Sequence, residues 1–556
     1  MKKIFVLLVI ISMILPATFA QQLRMSEGSR KVATTMAFIE NFYVDKVNDE
    51  KLAEDAVKTL LEKLDPHSAY ISASEVKEMN EPLEGNFDGI GISFNMMTDT
   101  LYVIETIAGG PSQKVGILPG DKIIKVNDTL IAGIKMSTKD VMSRLRGKKG
   151  TKVDVKVLRR GVTDLIDFRI TRDKIPIYSL DASYMVAPKT GYIRLSRFGA
   201  TTMKEFEEAC RKLQNQGMED LILDLESNGG GYLSAAIEIS NEFLGKKQLV
   251  VYTEGAQQSK QIAESNGSGL LKKGKLVVMI NEASASGSEI VAGAIQDWDR
   301  GIIIGRRSFG KGLVQRPFDL PDGSMIRLTV ARYYTPTGRS IQKPYENGNA
   351  ESYAMDVIER YNKGEMMSAD SIHFPDSLKY KTLINERTVY GGGGIMPDYF
   401  VPIDTTRYSA YHNRLIYTGV IYKVALNEVD VNRKNLLLKY PTKGAFIDNF
   451  VVSDAFLQKL REEGAKEIAT LNEKSRDADK KDTEQTEKDK QKIEDEEFER
   501  SKSLIMAQIK AYIARDLYDS GAFYEVINQE SNVFKKSVEI ITNDELYNSI
   551  LSGDKM

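Results

Sequence analysis

A chain of 556 residues, 42% hydrophobic and 28% charged with net charge −2, has length for several domains and too little positive charge to bind nucleic acid by bulk electrostatics. One cysteine, Cys210, allows no internal disulfide. Three histidines (His67, His373, His412), with neither H-E-x-x-H nor C-x-x-C, leave no pattern for a metal site, and nothing in the chain implies an organic cofactor.

Lys2 and Lys3 precede an apolar run from Ile4 to Leu15 and the small residues before Gln21, so residues 1–20 read as a secretory signal cut after Ala20. That predicts export to the periplasm. No later run reaches membrane-spanning length, so no stable membrane span is expected after cleavage. Residues 21–84 read as an N-terminal helical segment, with Val32, Ala37, Phe38, Phe42 and Tyr43 at helical spacing and packed against the rest. Ser68 to Glu78 reads as the start of a second short helix.

From 85 to 175 the pattern changes to short strands with turn punctuation: Ile92–Phe94, Leu101–Thr106, Lys122–Val126 and Val153–Leu158, with a helix over Thr138–Leu145. This stretch resembles a bacterial PDZ domain. The resemblance implies that backbone N–H groups of the loop Gly89-Ile90-Gly91-Ile92 take a peptide's C-terminal carboxylate, with Val141 and Leu145 lining the pocket for its last side chain.

Residues 176–402 alternate strands and helices, the signature of an α/β core. Strands are expected at Gly191–Leu195, Leu221–Leu225, Leu276–Ile280 and Met325–Tyr334, and helices at Thr202–Gln214 and Leu233–Phe243. Beyond Pro402 the pattern is less diagnostic. Residues 403–556 read as a helical extension containing a charged stretch, Lys474–Glu499.

The chemistry concentrates between Asn281 and Gln315. The strand Leu276–Ile280 runs into Ser284-Ala285-Ser286-Gly287-Ser288 and then a helix, which sets a hydroxyl beside unpaired N–H groups at a helix start. By residues alone, Ser284, Ser286 and Ser288 are all candidate nucleophiles. Gly305–Lys311 matches G-x-x-x-x-G-K, but Gly312 stands where a magnesium-binding Ser or Thr belongs. A histidine-based triad would need one of the three histidines, and sequence excludes none. A serine–lysine pair needs its lysine neutral, so burial must lower a pKa of about 10.4 by roughly 3 units. Ile302–Ile304, Leu313 and Val314 are expected to provide that environment around Lys311. Gln315 can aim the amine without adding a counter-charge.

Leu64-Asp65-Pro66, Gly89–Ile92, Ser284-Ala285-Ser286 with Ser288-Glu289-Ile290, Phe309-Gly310-Lys311-Gly312 with Gln315, Thr335-Pro336 with Gly338-Arg339-Ser340, and Pro397-Asp398 occur in the order seen in carboxyl-terminal processing peptidases. The stretch from about 30 to 402 resembles this family (S41), whose catalytic core is a crotonase-like α/β fold. The resemblance implies Ser286 as nucleophile, Lys311 as general base, Gln315 as its orienter, and an oxyanion hole of backbone N–H groups from Gly230 and Gly287. It also implies protein substrates with free C-terminal tails and a homodimer built by the helical ends. Glu226, Gly229 and Gly287 depart from the family's common Arg, Pro and Ala. Ser288 is expected to cap the helix. Two other readings remain: a non-catalytic PDZ scaffold with a degenerate peptidase core, and a crotonase-like acyl-thioester enzyme.

Overall fold

The computed structural model describes residues 26–97, 99–476 and 487–554; the expected signal segment lies outside the described residues, as does the middle of the charged stretch. Among the described residues no helix is long and apolar enough to cross a membrane.

At the N-terminus the helices Glu27–Phe42 and Asp49–Glu62 are capped by the side chains of Ser26 and Asn48. Among the described residues, the apolar residues of the first helix are not buried in a core, contrary to the packing expected from the sequence. None of its residues is buried, and Phe38 and Phe42 are 60% and 79% exposed. The Ser68–Glu78 stretch also differs from its sequence reading. Ala69–Ile71 is a strand paired antiparallel with Met325–Arg327, and only then does Ser72 open the helix Ala73–Glu84, with Glu75 bonding back to its N–H. A three-residue strand is specified by its distant partner, which local periodicity does not reveal.

Next comes a sheet in the order Ile92–Met97, Thr100–Thr106, Lys122–Val126, Lys152–Leu158, Ile166–Thr171. The helix Thr138–Leu145, capped by Ser137, packs on it through Val141 and Leu145, which join Ile90, Leu101 and Val155 in one core. Asn86–Gly89 and Asp173–Pro176 pair antiparallel where the chain enters and leaves this unit.

The largest core is a six-stranded sheet ordered Leu180–Ala187, Thr190–Leu195, Asp220–Asp224, Leu276–Ile280, Ile302–Gly305, Tyr399–Phe400. Only the first pair is antiparallel. Leu276–Ile280 and Ile302–Gly305 are buried at every position, as continuous apolar runs in a parallel sheet should be. Thr202–Gln214, Leu233–Asn241 and Gly287–Asp297 cover one face. The other face carries Tyr192, Ile222, Val277, Met279 and Ile302, and it is covered by the last helices, Asn532–Thr542 and Asp544–Ser552, through Val533, Ile540, Ile541 and Tyr547. The α/β core therefore takes its final layer from residues that the sequence assigns to the extension. In the sequence between the last sheet strand and these final helices comes a helical bundle with its own core, including Leu415, Val424, Phe446, Leu460, Ile505 and Ile509. A second sheet is centred on Met325–Tyr334, flanked by Leu313–Asp319, Ala69–Ile71 and Leu249–Gly255. It brings Lys311 and the N-terminal segment to the end of the main sheet.

Candidate active site

Ser286 sits where the buried strand Leu276–Ile280 turns into the helix Gly287–Asp297. Its backbone, φ 54° and ψ −111°, is a conformation that non-glycine residues rarely adopt, and such strain persists only where surroundings enforce it. The neighbouring serines supply part of that enforcement. Ser284 Oγ donates to Leu225 O at 2.8 Å and accepts from Asn281 N at 2.9 Å; Ser288 Oγ donates to Asn228 O at 2.8 Å. Both are buried and tie the turn to the 225–230 loop. Ser288 is thus a strut and not the cap; the cap position is Ser286 itself.

Glu289 holds the serine turn and the lysine loop together. It is wholly buried, and it accepts from Ser286 N (2.8 Å), Ser308 Oγ (2.5 Å), Gly310 N (2.7 Å) and Lys311 N (2.9 Å). Burial pushes its carboxyl pKa up against the pull of these four donors. The amides of the Gly305–Lys311 loop that a phosphate would need are therefore partly spent on Glu289. Glu289→Gln is expected to lower both the melting temperature and kcat, since its amide NH2 would face donors. Unchanged thermal unfolding would contradict the role of strut.

Ser286, Gly287, Lys311 and Gln315 line one cavity of about 410 Å³. Lys311 Nζ donates to Gln315 Oε1 at 3.0 Å, and Gln315 Nε2 donates to the backbone oxygen of His67 at 2.5 Å, which points the amide oxygen at the amine. Burial, helped by the nearby Arg327 guanidinium, brings the Lys311 pKa down to about 8. Among the described residues the cavity wall carries no carboxylate, and Arg327 is its other charged group. The apolar surroundings are Leu313 and Val314, as expected, with Met79, Leu83, Ile290 and Met325; Ile302–Ile304 belong to the sheet core instead. Ser286 Oγ and Lys311 Nζ share the cavity without a hydrogen bond between them. None of the three histidines lines it. The His67 ring faces Tyr353 OH at 3.1 Å, its pKa brought down to about 4 by burial and the Lys311 charge.

The glycine loop 229–231 approaches Ser286 as closely as glycine permits. A Cβ on Gly230 (φ 95°) would lie 2.7 Å from Ser286 Cβ, and one on Gly287 would lie 2.9 Å from the Phe198 ring. The Gly287 N–H, first in its helix, has no acceptor among the described residues. The Gly230 N–H, however, donates to Asn228 Oδ1 at 2.9 Å and is not free. Gly229 and Gly231, exposed and in the same cavity wall, carry amides without such a partner among the described residues. Sequence reasoning also missed Tyr333, whose hydroxyl reaches the carbonyls of Lys311 and Ser286, and the wall formed by Met79, Asn80 and Leu83. Behind the loop, Glu226 is pushed up to about 8 by burial and by Asp224.

In the small β-rich unit, a groove of about 480 Å³ runs between the strand Ile92–Met97 and the helix Thr138–Leu145. Gly89, Ile90, Gly91, Ile92 and Leu145 line it. Val141 does not: it is wholly buried in the core, and Met142 and Thr138 take its place, because a position one residue further on the helix faces the opening.

Family models match four stretches: peptidase family S41 over residues 189–348, a PDZ domain over 89–170, the activating protease CtpB N-terminal domain over 15–75, and a family of unknown function (DUF8443) over 411–519. A carboxy-terminal-processing protease of Bartonella bacilliformis is 38% identical over 305 residues, 54% of this chain and 69% of that protein. The carboxy-terminal processing proteases CtpA and CtpB of Bacillus subtilis are each 34% identical over 59% of this chain, which is 71% and 68% of their respective lengths.

Proposed function

We propose, for a chain that belongs to the carboxy-terminal processing proteases of peptidase family S41, that Ser286 and Lys311 form its catalytic dyad. The observation that carries this reading is a lysine with a pKa near 8, aimed by Gln315, in the same carboxylate-free cavity as a strained serine at a helix start. Neutral Lys311 takes the Ser286 Oγ proton as the oxygen attacks the scissile carbonyl, then gives it to the leaving amine; water repeats the cycle on the acyl-enzyme. The Gly287 N–H stabilises the tetrahedral oxyanion, joined by an amide of the 229–231 stretch. One such donor is worth about 3–4 kcal/mol. The move from the open gap between serine and lysine to a hydrogen bond is the closure that substrate must bring about.

The PDZ groove takes the substrate's C-terminal tail by adding it to the edge of the strand Ile92–Met97. The N-terminal sequence supports action after export, in the periplasm. An unstructured, casein-like protein with a free C-terminus is expected to be cleaved. Amidating that C-terminus should raise KM about tenfold or more, the loss of one or two hydrogen bonds to a charged group. Equal rates for both forms would refute tail recognition.

A further inference from the structure

Resting on the reading of the PDZ groove as the tail site, we propose that the helical extension forms the second wall of that groove and contacts substrate side chains upstream of the C-terminus. The strand Ile92–Met97 lies at the edge of its sheet, with Thr100–Thr106 on one side only. Two cavities border it. One is the groove facing the helix Thr138–Leu145. The other, about 850 Å³, opens between Ser93, Asn95 and Glu105 on the PDZ side and Tyr417, Tyr422 and Arg515 on the extension. The residues Ser93 to Met96 line both, so a chain bonded to this edge lies in the two spaces at once. Ile92, Phe94 and Met96 pack toward the PDZ core. An added strand alternates in the same way, sending every second side chain toward the extension.

The chemistry of that wall selects the occupant. Its cations already have partners: Arg515 bonds Asp516 Oδ1 at 3.1 Å and lies over the rings of Tyr422 and Tyr512, while Lys423 bonds Glu467 at 2.7 Å. What remains open is aromatic surface, foremost Tyr417, which is 78% exposed at the cavity wall, together with the exposed Glu105 carboxylate, which turns acidic tails away. Away from the cavity, the PDZ unit and the extension also touch through the Arg160–Asp430 ion pair at 3.4 Å. The occupant is thus an extended substrate tail carrying an aromatic or aliphatic side chain a few residues before its end, held by ring contact.

The test uses the full chain and an unstructured reporter protein ending in an eight-residue tail, with Phe or the uncharged Gln placed at each upstream position in turn. Wild type should prefer Phe at alternate positions. Tyr417→Ala should raise KM for those tails about two- to tenfold at unchanged kcat and erase the preference over Gln. Tyr417 is exposed, so its loss does not threaten folding. Met142→Glu, in the PDZ groove, should raise KM for every tail. Loss of tail dependence in Met142→Glu with the Phe preference intact in Tyr417→Ala overturns the second wall and leaves the tail site standing. Unchanged KM in both variants overturns both readings. A Tyr417→Ala variant whose mass in solution halves would assign the gap to a second copy of the chain, and would also overturn the proposal.

Discussion

Ser286→Ala is expected to lower kcat by about 10⁴–10⁶-fold, the range seen when a nucleophile is removed from a unit that acts together. Tail binding should survive, because Ser286 lies outside the PDZ groove. The same substitution at Ser284 or Ser288 should act through stability. Their hydroxyls satisfy buried carbonyls of Leu225 and Asn228, and removing one costs about 1–3 kcal/mol for the partner left unpaired. Residual cleavage by Ser286→Ala near the wild-type rate would remove the nucleophile assignment.

Lys311→Met should abolish turnover to a similar extent and Lys311→Arg should not rescue it, since a guanidinium cannot act as a base near neutral pH. Stability should move the other way. The folded pKa of Lys311 is about 8, below the unfolded value of about 10.4. Below pH 8 the fold therefore bears the full cost of a buried ammonium. That cost fades as pH rises from 8 toward the unfolded value. Removing the amine should thus raise the melting temperature at pH 7 and matter little near pH 11. A variant both inactive and stabilised marks a residue kept for chemistry at the expense of stability. A melting temperature that falls at pH 7 would contradict the burial argument.

The buried parallel strands were legible because apolar runs such as Leu276–Ile280 and Ile302–Gly305 are bounded by turn residues, and the helices around them keep a regular period. That a serine of the 284–288 turn, Lys311 and Gln315 could meet was legible from their closeness in the sequence, whereas the choice of Ser286 among three serines came only from the family resemblance. Pairings between distant segments were not. Ala69–Ile71 becomes a strand only beside Met325–Arg327, and the face made by Ile222, Val277 and Met279 is covered by helices some 250 residues further on. The groove residue Met142 differs from the core residue Val141 by a single step of a helix whose rotation only the packed structure sets. Nor does any motif show that the Gly230 N–H is held by Asn228, or that the carbonyl aiming Gln315 belongs to His67. Each pairs a side chain with a backbone group whose position is set by the fold, so residue type alone does not select the partner.

The dyad stands on the role of Lys311 as a base of lowered pKa. It is tested most directly by the pH dependence of kcat/KM, which reports the ionisations of the free enzyme. Because Glu226 is also pushed to about 8, the profile must be measured for wild type and for Glu226→Gln. Both should rise about tenfold per pH unit below 8 and level off above it, as Lys311 loses its proton. A plateau already reached at pH 6, or a rise that disappears in Glu226→Gln, would contradict Lys311 as the base.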